Sequence, residues 1–457
     1  MHQHLPPLDK QPITESPIMR SFVSNNINNA LHLASICLAA ALATASHAAT
    51  ITASSGNPTD VQSAVNSAAA GDTVVVPAGS STWASGVTIS KSLILQGAGS
   101  SSTLITRGSG FNGPLVTVTS LPTDVPVRVT GFSFNNVIQS PAPNTFDVYV
   151  AHNPGSNFGY TKVRIDNCIF KKGQRVVTWQ GWAYGVVDHC TFYDCWICGY
   201  LIGEENDLGD RAWARQDYQA GSGNFPFFED CTFNWDTAAG IPGSPWVLYH
   251  EHGGRSILRH CTIDSHLSTN SIEGPIDMHG NQSYWTGASN DQRGSIRMEF
   301  YNNTVHLNNS FRTMDLRGGS ALIHDNTFIY DTETPDICDF REEESEDSGT
   351  PVIWPAEDQI NASFIWNNTV NGVAQTDSEI GVGTFGTAGD ATYIQKGRDY
   401  WTTAPNAGTH TTYPEPRPPS SPSYPTTYSA VTSYTTFTYP HPLRSDSPTP
   451  KDNKSTR

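Results

Sequence analysis

Four short stretches of this chain carry the residues best able to move protons or hold charge. They are Tyr249-His250-Glu251-His252-Gly253, Ile276-Asp277-Met278-His279-Gly280, Met314-Asp315-Leu316-Arg317-Gly318 and Cys338-Asp339-Phe340-Arg341. Asp315 and Asp339 are 24 residues apart, as are Arg317 and Arg341. As strands with alternating side chains, these stretches turn Met314, Leu316, Cys338 and Phe340 inward. The outward columns then read His250, Asp277, Asp315, Asp339 and His252, His279, Arg317, Arg341. This register points Glu251 inward unless its strand bulges or slips. Imidazoles can serve as bases near neutral pH, and guanidinium groups can bind a carboxylate. Stacked carboxylates repel unless a cation or a shared proton relieves them, which makes Asp277, Asp315 and Asp339 a candidate calcium site. An earlier stretch, Val177-Thr178-Trp179-Gln180-Gly181, has Thr178 and Gln180 at the same places, so the titratable residues gather on a few neighbouring units. The competing reading is ion pairing between units, worth about 0–1 kcal/mol per pair.

A repeat must bring these stretches together. Seven segments read as an apolar strand, two polar residues, Cys or Asn, Thr or Ile, then Phe, Ile or Val. They end at Phe170, Phe192, Phe233, Ile263, Val305, Phe328 and Val370. The shortest spacings, Phe170 to Phe192 and Val305 to Phe328, are 22 and 23 residues. Such a strand cannot bury its apolar side alone, so the copies stack into a solenoid with a continuous core. Cys168, Cys190, Cys231 and Cys261 share one repeat position, which continues as Asn303, Asn326 and Asn368. The column predicts buried thiols giving way to a ladder of hydrogen-bonded amides. Disulfides between adjacent coils are the alternative, since a spacing of about 4.8 Å lies inside the disulfide window. Cys195 and Cys198, in a CxxC, read as strand residues because no second CxxC accompanies them.

Bulk properties agree with this organisation. Of 457 residues, 15% are charged, and the formal net charge is -17. That balance argues against a general nucleic-acid binder, which needs clustered Lys and Arg. Residues 31–45 form an apolar run too short to span a bilayer. Arg20 precedes it and Ser46-His47-Ala48 offers small residues three apart, so the pattern predicts export to a secreted, periplasmic or cell-surface location with a mature start near Ala49. Residues 1–18 read as an upstream extension of that signal. No other segment is apolar and long enough to cross a membrane.

From Ala49 onward the chain reads as one repeat domain to about residue 403. Thr59 with Gln62 has capping-box spacing, and Val61, Ala64, Val65 and Ala68 recur at helical intervals before Gly71. This amphipathic helix precedes the stack and is placed to cap its open end. Residues 404–457 form a tail rich in Pro, Ser, Thr and Tyr, in which 434–443 regain aromatics and are candidates to dock on the stack.

The helix, then Gly71-Asp72-Thr73-Val74-Val75-Val76-Pro77-Ala78-Gly79, then Leu93-Ile94-Leu95-Gln96-Gly97-Ala98-Gly99, then Asn-Asn-Thr-Val coils resembles the right-handed parallel β-helix proteins of the pectate-lyase-like superfamily. The resemblance covers about residues 49–400. It implies an all-β, three-sheet solenoid with an N-terminal capping helix, and a monomer. The superfamily includes lyases, glycosidases, epimerases, esterases and tailspikes, so activity must come from the site. In that superfamily the outward face of the first sheet binds polysaccharide. Here that face carries the His, Asp and Arg columns, with Tyr284, Trp285 and Trp354 in flanking loops and suited to stacking on sugar rings.

Two chemistries fit. In an uronate lyase or epimerase, calcium or Arg317 or Arg341 neutralises the substrate carboxylate, and His250 or His279 takes the C5 proton. In an inverting glycosidase, Asp277 and Asp339 flank the bond at a backbone separation of about 9–10 Å. Adjacent paired Asp and Gly-His-Gly motifs are absent, which favours the lyase or epimerase branch. A third reading is a non-catalytic glycan-binding surface protein or adhesin.

Overall fold

The computed structural model describes residues 48–136, 145–152, 158–203, 220–235, 245–266, 275–280, 295–308, 312–332, 336–341, 360–383, 394–409 and 431–445. The expected export signal, and the loop aromatics Tyr284, Trp285 and Trp354, lie outside them.

Among the described residues the repeat folds into three sheets of ten, twelve and eleven strands. Each sheet takes one strand per coil and orders its strands along the chain, so neighbours run parallel. The exception is the hairpin pair Thr369–Val370 with Val373–Ala374 in the third sheet. Parallel strands joined by crossovers adopt the right-handed sense. The chain is an all-β, right-handed parallel β-helix.

The repeat sequence makes one corner of each coil. The residue just before the Cys or Asn adopts left-handed backbone geometry in every copy: Asn167, His189, Asp230, His260, Asn302, Asp325 and Asn367 have φ between 50° and 56°. Asn, Asp and His tolerate this region better than β-branched residues, which explains the polar pair. The bend turns the next side chain inward. Cys168, Cys190, Cys231 and Cys261 are buried free thiols. Asn326 Oδ1 accepts from the Asn303 backbone N–H at 2.9 Å and from its side-chain amide at 3.1 Å. Asn368 Oδ1 does the same for Asn326, at 3.0 and 2.9 Å. Two positions further on, Phe170, Phe192 and Phe233 stack with centroids 5.0 and 4.7 Å apart. Each fully buried Phe contributes roughly 1.5–3 kcal/mol.

The helix, α1, spans Pro58–Ser67 and buries Val61, Ala64 and Val65. Its N-cap is Asn57 rather than Thr59, because Pro58 takes the first helical position, where a missing N–H costs nothing. Lys91 Nζ donates to the carbonyls of Val65, Asn66 and Ala68 at 2.8–3.2 Å, satisfying the other end. Gln62 ties α1 to the coil through the Thr88 N–H at 2.7 Å.

Residues 431–445 lie on the outward face of the second sheet. There Asp166, Asp188, Glu229, Arg259, Tyr301 and His324 stack in register. Arg444 reaches Glu229 at 2.9 Å and Asp230 at 2.6 Å, and the His441 N–H donates to Glu229 at 3.0 Å. Arg259 pairs with Glu229 and donates to the Thr438 carbonyl at 2.7 Å. The segment therefore closes a polar column that the coils alone would leave open. Among the described residues no helix is long and apolar enough to cross a membrane.

Candidate functional site

The first sheet positions the candidate residues, and its register decides which way they face. Tyr249 lies opposite Asp277 and His250 opposite Met278. Asp277 lies opposite Asp315, and Asp315 opposite Asp339. The outward column is therefore Tyr200, Tyr249, Asp277, Asp315, Asp339. The inward column is Leu201, His250, Met278, Leu316, Phe340. The backbone ladder continues past the strands, with His279 N–H to His250 O at 3.1 Å and both Arg317 N–H to Met278 O and Arg341 N–H to Leu316 O at 2.9 Å. The second outward column is accordingly Glu251, His279, Arg317, Arg341.

Two expectations need correcting. His250 is in the core, fully buried, and not on the outward wall. Its strand sits one residue away from the assumed register, and a one-residue slip exchanges the faces. His250 Nδ1 donates to Asp277 O at 3.2 Å and its Nε2 accepts from Ser256 Oγ at 2.7 Å. Burial holds the imidazole at a pKa of about 4, so it is neutral. His252 is the second correction. It occupies the left-handed turn after the strand, with φ 49°, and Glu251 takes its place in the column. Its Nε2 still approaches Glu251 Oε2 at 3.8 Å.

Arginines interleave with the aspartates. Arg317 Nη2 donates to both oxygens of Asp277 at 2.9 Å, and its Nε lies 3.7 Å from Asp315. Arg341 repeats the pattern one coil on, donating to Asp315 Oδ1 at 2.8 Å and lying 3.8 Å from Asp339. Arg312 adds a bond to Asp315 Oδ2 at 2.8 Å. Arg317 and Arg341 thus each bind the carboxylate of the preceding coil and neighbour that of their own, which relieves the stacked like charges. Burial alone would raise the Asp277 pKa, but Arg317 and His279 override it and hold the carboxyl below the usual range. Calcium takes six to eight oxygen ligands. The Asp277 and Asp315 oxygens already accept from guanidinium groups that fill the gaps between coils, so this set does not fit calcium.

His279 and Tyr249 stand at one end of this wall with ring centroids 4.6 Å apart. His279 Nε2 lies between Arg317 Nη2 at 2.5 Å and Asp277 Oδ2 at 3.2 Å. Guanidinium only donates and carboxylate only accepts. The neutral imidazole is therefore served by Arg317 and the protonated one by Asp277. The His279 carbonyl is fixed by the Ser295 N–H at 2.8 Å. Tyr249 is half-buried. Burial first, then the charges of Glu251 and Asp277, push its pKa well above the ordinary value. Tyr200 donates to Glu251 Oε2, and Arg175 stacks on the Tyr200 ring at 4.1 Å.

Of the residues expected here, the structure brings together Asp277, His279, Asp315, Arg317, Asp339 and Arg341. It adds Tyr200, Tyr249, Glu251 and Arg312, which the sequence reading missed. The signal for Tyr249 and Glu251 was their alternation about His250.

No family model matches the chain, and no curated protein matches it. Solved structures similar to it include an alginate lyase from Paenibacillus sp. str. FPU-7, at 14% identity and TM-score 0.45, covering 73% of this chain and 99% of that chain. The A-module of a mannuronan C-5 epimerase from Azotobacter vinelandii matches at 12% identity and TM-score 0.31, covering 73% and 95%. The catalytic domain of a GH87 alpha-1,3-glucanase matches at 11% identity and TM-score 0.35, covering 78% and 67%. These likenesses are of coil architecture at low identity, and the side chains described above carry the reading that follows.

Proposed function

We propose that the outward face of the first sheet removes the C5 proton of a uronate residue in an acidic polysaccharide, as a lyase or an epimerase does. The observation that carries this reading is the meeting, on one wall, of a paired guanidinium, an imidazole and a phenol: Arg317, His279 and Tyr249.

Each group has a task suited to its surroundings. Arg317 and Arg341 offer charge to the substrate carboxylate, making the C5 hydrogen acidic and stabilising the enolate-like intermediate. His279 Nε2 takes that proton, and the resulting imidazolium turns to Asp277. In elimination, the C5–H electron pair forms the C4–C5 double bond while the C4–O bond breaks. Tyr249, kept protonated by its surroundings, gives its proton to the leaving oxygen. In epimerisation no bond to oxygen breaks, and a proton returns to the opposite face of C5.

Inverting hydrolysis through Asp277 and Asp339 has less support. It needs one carboxyl to stay protonated as the acid, and Arg317 keeps Asp277 ionised. A binding-only role would not need a base supplied with partners in both protonation states. Export and a glycan partner outside the cell are part of the same proposal, resting on the apolar run at residues 31–45.

The test is to offer uronate polymers to the purified chain, following absorbance of the unsaturated product and, separately, the stereochemistry at C5. Product or inverted C5 from one polymer supports the reading. Binding of a polymer without either change favours the glycan-binding alternative.

A further inference from the structure

A second cluster of chemically capable side chains stands on the outward face of the third sheet, away from the wall just described. Asp264 ends the strand Thr262–Asp264, and His266 follows it by two residues. His306, on the strand Thr304–Leu307, lies directly opposite Asp264 in the next coil. The two imidazoles stack with centroids 4.4 Å apart and an interplanar angle of 3°. One ligand-capable atom from each of the three residues lies within 4.8 Å of the others. His266 Nδ1 shares a hydrogen with Asp264 Oδ1, and the His266 N–H donates to the same oxygen at 3.1 Å. Asp331, from the following coil, meets His306 Nε2 at 2.9 Å.

We propose that Asp264, His266 and His306 bind a divalent transition-metal ion of the zinc class, with Asp331 steadying the His306 ring. Two imidazoles and a carboxylate are a borderline donor set that suits zinc rather than calcium. The metal replaces the hydrogen shared by Asp264 and His266. Zinc bonds of about 2.0–2.1 Å require the ligand atoms to close by roughly 1 Å, which partly exposed side chains on a rigid sheet achieve by rotation about their own bonds. A carboxylate behind a ligating histidine is the usual outer support of such a site. Three ligands leave a position for water. The ion pins successive coils of the third sheet together, so it acts on the stacking of the solenoid. This inference is independent of the polysaccharide reading.

The experiment is calorimetric titration of the chelator-treated full chain with Zn²⁺, and with Ca²⁺, beside His266→Ala, His306→Ala, the double variant and Asp331→Asn. Equal unfolding midpoints in chelator establish that the variants fold. The expected result is a Zn²⁺ site in the wild type and no comparable Ca²⁺ response. Affinity should fall about tenfold or more in each single His variant and vanish in the double, with a loss of about 10–100-fold for Asp331→Asn. Wild-type zinc affinity and stoichiometry in the double variant, or no zinc uptake by the wild type, overturns the proposal.

Discussion

Arg317 reaches back one coil to hold Asp277 through both carboxylate oxygens at 2.9 Å, while the same guanidinium touches His279. A single side chain therefore balances a buried carboxylate and faces the imidazole assigned as base. Its removal should be felt twice. Arg317→Ala strands Asp277 as a buried, poorly paired charge, and the expected cost is about 3–5 kcal/mol by denaturant unfolding. Arg317→Lys keeps the charge but loses the fork. It should unfold nearer the wild type and still lose most turnover of a uronate polymer. Full activity in Arg317→Lys would remove guanidinium from the mechanism.

Tyr249→Phe deletes a phenol and leaves the ring packed against His279 and Trp246. The protein should fold normally. Elimination should slow by about 10²–10⁴-fold, the usual range for a lost proton donor, measured as unsaturated product released per enzyme. An unchanged rate would make Tyr249 a packing residue.

The fold was legible in the sequence because the repeat writes the same corner seven times, each with a polar residue suited to left-handed backbone before Cys or Asn. The aspartate column was legible for a similar reason: Asp315 and Asp339 sit 24 residues apart on strands of matching pattern. His250 was misplaced because Tyr249-His250-Glu251-His252 alternates equally well in either register. Only the pairing of Tyr249 with Asp277 decides between them. The arginine interleaving was not legible, since it depends on side chains leaning back one coil. For the same reason the aspartate column reads as a calcium site in the sequence: spacing alone does not place guanidinium groups between the coils. The polar column beneath residues 431–445 escaped notice because its members, among them Asp188, Glu229 and Arg259, occupy an ordinary polar position of the repeat.

Core placement of His250 has a pH consequence. Its folded pKa, about 4, lies below the ordinary value of 6.5. Between those values the unfolded chain binds a proton that the folded chain refuses, so stability falls as pH drops from about 6.5 to 4. His441, also held at about 4 by burial, acts with the same sign. Each contributes a slope of at most about 1.4 kcal/mol per pH unit in that window. His250→Leu should flatten the slope of unfolding free energy against pH there, whatever it does to the absolute value. An unchanged slope would contradict a neutral, buried His250.

Arg444 ties the segment to the second sheet, bonded to Glu229 and Asp230. Arg444→Ala leaves Glu229 with Arg259, so the loss should be moderate, about 1–3 kcal/mol. Limited proteolysis should then cut residues 431–445 faster than in the wild type. Equal cutting rates would mean that the segment is held by its other contacts instead, such as those of Arg259 with the Phe437 and Thr438 carbonyls and of Tyr434 with Glu299.

The most direct test of the central claim follows the hydrogen on C5. A uronate polymer turned over by the wild-type chain in D₂O is examined by NMR beside one incubated with His279→Asn. The account predicts loss of the C5 hydrogen in the wild-type reaction, as an unsaturated end or as deuterium at an epimerised centre, and none with the variant. Chain shortening with every C5 hydrogen retained would contradict it.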